Sequence, residues 1–167
     1  VRPTSDFARE AIFNMLVHSN LTGQGSAVEG ARAADFFCGT GALGLEALSR
    51  GAAHVAFIDQ SKEALDMARS TAQHFNELNA CDFIYADITQ LPKCRGEAFT
   101  LAFVDPPYSA RLLIPALKSI RQQGWLAPGA VVIAEHDERT EFAAPEGYRL
   151  HDRRQYGRAI IEVLTYA

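Results

Sequence analysis

The chain has 167 residues, 48% of them apolar, with a net charge of −4 and an isoelectric point near 5.7. That is apolar material for a full core at a length that fits one domain, and the acidic balance excludes a protein coated in positive charge, so nucleic-acid contact has to come from locally placed arginines. Three cysteines without paired spacing indicate neither a disulfide framework nor a zinc site, and no apolar run approaches the roughly 18 residues that span a bilayer, so a soluble, cytoplasmic, metal-free protein is expected.

Arg2-Pro3-Thr4-Ser5-Asp6 reads as an extended entry into a helix, with Thr4 or Ser5 as cap and Asp6 at the positive end of the dipole. Ile12, Phe13 and Leu16 give that helix an apolar face, so residues 1–20 form an N-terminal cap helix docked on a sheet. Arg2, Thr4 and Arg9 are not explained by packing and become candidates for substrate contact. Residues 22–30 are a loop by composition.

From Ala33 to Asp59 the chain reads strand, glycine turn, helix, strand. Ala33 to Phe37 is an apolar run that breaks into Cys38-Gly39-Thr40-Gly41, a helix follows near Leu43 to Ser49, and a second apolar run ends in Asp59. This is the first half of a nucleotide-binding α/β sheet, in which Gly39 and Gly41 open the backbone to a ligand and Gly44 permits close packing of helix on strand. The spacing Gly39-x-Gly41-x-x-Gly44 also matches a dinucleotide fingerprint. Asp35 shifts the balance, because a carboxylate at the end of the first strand repels a pyrophosphate and suits an ammonium group. Asp59, twenty residues after Gly39, suits the two hydroxyls of a ribose. S-adenosyl-L-methionine carries both an amino acid and a ribose, so the two acids favour it over NAD.

Ser61 caps the next helix, whose Leu65, Ala68, Ala72 and Phe75 make an apolar face, with Met67 and His74 off it and no role assigned to His74. Cys81 to Ala86 is a third strand ending in Asp87-Ile88, where Asp87 suits either the adenine amino group or the N-cap of a short turn, or both. The fourth strand, Thr100 to Val104, runs into Asp105-Pro106-Pro107-Tyr108. Two prolines remove two backbone donors and stiffen the turn, leaving the Asp105 side chain and nearby carbonyl oxygens as fixed acceptors, while Tyr108 supplies a flat face. Such a turn holds a planar exocyclic amine and stacks its base.

Pro115 falls in the first turn of a helix that presents Ala116, Leu117 and Ile120 to the sheet, and Ala130 to Glu135 is the fifth strand. Glu135 and His136 at its end could line the cleft, but strand-terminal polar residues are usually solvated, and they are left out of the site. Tyr148 to Arg154 and Ala159 to Tyr166 form an antiparallel hairpin. Arg149, Arg153, Arg154 and Arg158 cluster there, either as a phosphate-contacting patch or as a solvated rim.

In chain order, Asp35-x-x-x-Gly39-x-Gly41, Asp59 and Asp105-Pro106-Pro107-Tyr108 resemble S-adenosylmethionine-dependent amino-methyltransferases. More narrowly, Arg2-Pro3-Thr4, Asp6, Arg9-Glu10, Phe13-Asn14 and Leu16, followed by residues 41–52 (GALGLEALSRGA), resemble the RsmD family, bacterial enzymes that methylate guanine N2 in small-subunit ribosomal RNA. The resemblance covers nearly the whole chain. It implies a Rossmann-like α/β fold with helices on both faces of a seven-stranded mixed sheet whose last strand is antiparallel. It also implies that Asp35, Cys38, Gly39, Thr40, Gly41, Asp59, Asp87 and Ile88 bind S-adenosyl-L-methionine, and that Asp105, Pro106, Pro107 and Tyr108 hold the target base. Arg2, Thr4, Arg9, Arg153 and Arg154 are the candidates for ribosomal RNA, free or within an assembling small subunit, with no membrane and no obligate protein partner. The expected organisation is one domain over residues 1–167, with a cofactor-binding core at 33–135 and the hairpin at 148–167. Family members usually open with a short basic segment, which is expected upstream of Val1.

Three other readings compete. The proline turn also suits adenine N6 in DNA or RNA, although the 59 residues after Tyr108 leave no room for a separate DNA-reading domain. An NAD-dependent oxidoreductase needs a hydride-transfer residue that the sequence does not offer. Asp35 and the proline turn also have no purpose in an oxidoreductase, and a non-catalytic RNA-binding module predicts RNA binding that Asp105→Ala leaves unchanged, with no methyl transfer.

Overall fold

The computed structural model describes residues 5–107 and 110–167. Helix α1 (Asp6–His18) starts where Ser5 accepts a hydrogen bond from the Ala8 N–H at 3.1 Å, and it buries Ala8, Ile12, Phe13, Met15 and Leu16. Beyond it, β1 (Arg32–Phe36), α2 (Ala42–Ser49), β2 (His54–Asp59), α3 (Lys62–His74), β3 (Cys81–Tyr85) and β4 (Phe99–Val104) alternate as the sequence predicts. Then come α4 (Leu113–Gln122), β5 (Leu126–Asp137), β6 (Tyr148–Tyr156) and β7 (Ala159–Tyr166).

The seven strands lie in the order β3-β2-β1-β4-β5-β7-β6. The first five run parallel, and β7 enters antiparallel between β5 and β6. This is the mixed sheet of the Rossmann-like methyltransferase fold. Parallel strands buried on both faces need near-continuous apolar runs, which Val55 to Ile58 and Leu101 to Val104 supply. One face, built on Ala33, Phe57, Phe103, Ile133 and Ile161, packs against α1, α2 and α3. The other, built on Phe36, Ile58, Val104, Val132 and Leu164, packs against α4.

Two expectations are corrected. Strand β5 extends to Asp137, and β7 covers its end through the pairs Glu135↔Ile161 and His136↔Ile160, so both polar residues are 8% exposed instead of solvated. Helix α3 stops at His74, which leaves Phe75 outside the last turn and 63% exposed instead of on the buried face.

Gly44 performs the packing role expected of it. A Cβ there would collide with the Phe57 ring and approach Val55 Cγ1 at 2.9 Å, so α2 lies directly on β2 only because position 44 has no side chain. Substituting Gly44→Ala is expected to destabilise the protein by about 1–3 kcal/mol through overpacking, as measured by urea denaturation.

Candidate functional site

The strand order reverses between β1 and β4, and open α/β sheets have their ligand crevice outside the carboxyl ends of the strands at such a point. A cavity of about 360 Å³ lies there, a size suited to a small-molecule ligand. Its wall includes Asp35, Cys38, Gly39, Thr40 and Asp59 from the glycine turn and flanking strands, together with Asp105. The two stretches around Gly41 and Asp105, 64 residues apart in the chain, therefore face one space.

Asp35 and Asp59 are each held by backbone. Asp35, 2% exposed, accepts the Gly44 N–H at 3.0 Å, which ties the end of β1 to the first turn of α2. Burial raises its pKa from 3.8 to about 8, against the lowering effect of that hydrogen bond and with a further small rise from the charge of Asp59. A cation placed beside it would reverse that cost, which is the chemistry of an ammonium subsite. Asp59 accepts the Gly39 N–H at 3.1 Å through Oδ2 and the Ser61 N–H at 2.9 Å through Oδ1. It thereby fastens the glycine turn to the start of α3, where the Ser61 hydroxyl accepts the Ala64 N–H.

The glycines divide their work. Gly39 (φ 54°) has open space where a Cβ would be, so the backbone stays accessible to a ligand. Gly41 (φ 83°) has Ala68 Cβ at 3.0 Å instead, so it serves packing and turn geometry. The Cys38 thiol is buried, and burial with the nearby charges of Asp35 and Asp59 pushes its pKa well above the ordinary range, so it is no nucleophile.

Asp87 and Ile88 are not part of the cavity wall. Asp87 caps the short turn at Ile88–Gln90, accepting the Thr89 N–H at 2.9 Å and its hydroxyl at 2.7 Å, while the Ile88 side chain is buried on the α4 face. The cap reading of Asp87 is observed, and it is compatible with the adenine reading, which stays a proposal. Conversely, Phe37, Leu43, Glu63 and Met67 line the cavity without having been singled out from the sequence. Met67 stands one turn after Glu63 on α3, off the sheet-facing stripe, and that off-face position was the available signal. Phe37 takes φ 60°, a left-handed conformation that costs energy for a bulky residue, and nothing in its residue type announces this.

Pro106 and Pro107 are half-buried beside Asp105, and Tyr108 lies outside the described residues, as do Arg2 and Thr4. Arg9 is engaged locally, 3.0 Å from Asp6 and 3.7 Å from Glu46 on α2. The hairpin arginines do not form one patch. Arg153 pairs across from Glu162 and Arg154 across from Ile161, and the alternation of the strand sends them to opposite faces of the sheet. Arg153 lies on the α4 face, with its Nε 2.8 Å from the fully buried Glu162 carboxylate, whereas Arg154 lies on the α1 face, 3.0 Å from Asp152. A broader groove of about 1160 Å³ between α4 and the hairpin contains Arg153 but, among the described residues, none of the cofactor or catalytic candidates.

With this geometry in view, the family described as "Conserved hypothetical protein 95" matches residues 1–165. The chain belongs to that family. It is the RsmD family of the resemblance noted above. Ribosomal RNA small subunit methyltransferase D of Escherichia coli (strain K12) is 29% identical over 171 residues, covering 94% of this chain and 82% of that protein. YlbH of Bacillus subtilis (strain 168), whose name assigns it provisionally to the rRNA methyltransferases, is 32% identical over 161 residues, covering 93% and 83%. An RNA methyltransferase of Salinibacter ruber, solved in complex with S-adenosyl-L-homocysteine, superposes with a TM-score of 0.71 over 99% of this chain and 94% of that one, at 15% identity, and so shares the fold. As a member of this RsmD family, the protein is an S-adenosylmethionine-dependent methyltransferase. Among the described residues no helix is long and apolar enough to cross a membrane.

The raised pKa of Asp35 fixes the sign of a pH effect. Because the folded protein retains this proton up to about pH 8 while the unfolded chain releases it near 3.8, Asp35 destabilises the fold progressively as pH rises through that window. Denaturant titrations across pH 4 to 8 are expected to show Asp35→Asn gaining stability relative to wild type as pH increases, with the difference smallest at the acid end.

Proposed function

We propose that the protein transfers the methyl group of S-adenosyl-L-methionine to the exocyclic N2 amine of a guanine in small-subunit ribosomal RNA, by direct in-line displacement. One observation carries the reading: Asp105, the first residue of the proline turn, stands in the wall of the same cavity as Asp35, Gly39 and Asp59. An acceptor turn for an amine and a pocket for an amino-acid nucleoside thus share one space.

The residues present fit the cofactor. Asp35, buried and short of a positive partner, suits its ammonium; Asp59, already oriented by two backbone N–H groups, offers its remaining lone pairs to ribose hydroxyls; the open face of Gly39 admits the ligand to the backbone. When bound, the cofactor supplies an electrophilic sulfonium methyl. The protein's part is alignment: the Asp105 carboxylate and the Pro106 carbonyl accept the two amine hydrogens, turn the nitrogen lone pair toward the methyl, and stabilise the amine as it becomes cationic. Tyr108 stacks the base. RNA as the substrate class follows the named relatives, and guanine over adenine follows the family resemblance.

The deciding experiment supplies labelled cofactor with unmodified small-subunit ribosomal RNA, free and in protein-bound particles, followed by nucleoside analysis. Label in N2-methylguanosine is expected; label in N6-methyladenosine would overturn the base assignment, and no label would overturn the substrate.

Two further outcomes separate the roles of the acids. Asp105→Ala is expected to lower turnover about tenfold to a hundredfold while the cofactor dissociation constant stays within about twofold; Asp59→Ala is expected to do the reverse. Calorimetry at pH 7 in buffers of different ionisation enthalpy is expected to show wild type releasing more protons on cofactor binding than Asp35→Asn does, because an ammonium beside Asp35 lowers a pKa that starts at about 8.

A further inference from the structure

Phe7 is the most exposed large apolar residue of the described chain, with 74% of its surface open. It lies in the first turn of α1, between the positions that carry the family resemblance and not among them. A single exposed aromatic is ordinary, but this one is braced: its ring centroid stands 5.9 Å from that of Tyr156 at an interplanar angle of 72°. Tyr156 is itself anchored, half-buried against the core of the α1 face. An edge-to-face pair of which one member is fixed and the other three-quarters open holds a ring face toward solvent at a defined place.

That place lies at the same edge of the sheet as the proposed acceptor turn. Tyr156 pairs with Ala159 and Ala159 with Asp137, which sets the hairpin tip at the carboxyl edge of the parallel strands, the edge that carries Asp105. Strand β6 is three places from β4 in the sheet, so at about 4.8 Å per strand Tyr156 stands roughly 14 Å along that edge from Asp105. Four stacked nucleotides at about 3.4 Å each span that distance, and fewer do so when the strand is extended. Charge suited to a phosphate backbone accompanies the rings. Arg154 is on the same face, 40% exposed, with its guanidinium reaching both Asp152 and the Tyr156 hydroxyl, and Arg158 is exposed in the turn next to Tyr156.

We propose that Phe7, braced by Tyr156, is a stacking platform for an unpaired base of the substrate RNA a few nucleotides from the methylated one, with Arg154 and Arg158 beside it for the phosphates. Single-stranded RNA is held in this way, by bases splayed onto aromatic faces next to arginine. The inference rests on the RNA-methyltransferase reading of the site and adds to it a substrate contact outside the cavity.

The test uses the whole protein with unmodified small-subunit ribosomal RNA. Phe7→Ala and Phe7→Leu are expected to raise the RNA KM about tenfold or more with kcat and the cofactor dissociation constant unchanged, because leucine keeps the apolar bulk and loses the π-face. Phe7→Trp is expected to restore the KM, and its added emission to be quenched by the RNA, against the constant background of the buried Trp125. A wild-type KM in both Phe7→Ala and Phe7→Leu, or a Phe7→Trp emission that RNA leaves unchanged, overturns the platform. A loss confined to protein-bound particles and absent on free RNA also overturns it, in favour of a protein contact at this surface. If wild type transfers no methyl to RNA in any form, the reading of the site fails and the platform falls with it, an outcome that no Phe7 variant is needed to see.

Discussion

The hydrogen bond from the Gly44 N–H to the Asp35 carboxylate is the constraint on which the site depends. A carboxylate 2% exposed at the end of a parallel strand is costly, and the protein accepts that cost where the strand order reverses. The bond aims Asp35 at the crevice and sets the first turn of α2 against β1. Gly44 lets α2 settle directly on Phe57 and Val55, so one residue gives both the donor and the close approach. Asp59 completes the arrangement by binding Gly39 on one side and Ser61 on the other. Two acids thus fix the turn that lies between them in the chain, and both remain in the cavity wall.

On the far side of the sheet a second buried acid organises the hairpin. Glu162, fully buried, is 2.6 Å from His136 Nε2 and 2.8 Å from Arg153 Nε, and the other imidazole nitrogen is 2.9 Å from the Asp137 carbonyl. Both ring nitrogens therefore lie within hydrogen-bond distance of an oxygen. The network ties β5, β6 and β7 together on the α4 face. Its consequence on the opposite face is positional: it holds the hairpin tip at the carboxyl edge, where Tyr156 meets Phe7. The same rigid sheet supports the pocket at its centre and the proposed RNA contact toward its edge.

The order of elements was legible in the sequence because each is bounded by local chemistry. Ser5 and Ser61 cap α1 and α3 as read, Gly39 and Gly41 mark the turn, and the apolar runs at Val55 to Ile58 and Leu101 to Val104 have the length and continuity of doubly covered strands. Two readings were overturned by distant partners. Glu135 and His136 look solvated beside their neighbours in the chain, and only the antiparallel entry of β7 buries them. Arg153 and Arg154 look like one patch until the ladder with Glu162 and Ile161 sends them to opposite faces.

By itself the sequence determined the fold class, the glycine turn and the chemical types of the candidate acids, because spacing along one strand, turn or helix is a property of consecutive residues. Tertiary structure alone decided that Asp35, Asp59 and Asp105 face one cavity, that Met67 and Phe37 belong to it while Asp87 caps a turn beside it, and that Phe7 finds Tyr156. Those facts depend on strand order and on which face each side chain takes, and both are set by pairings between segments far apart in the chain.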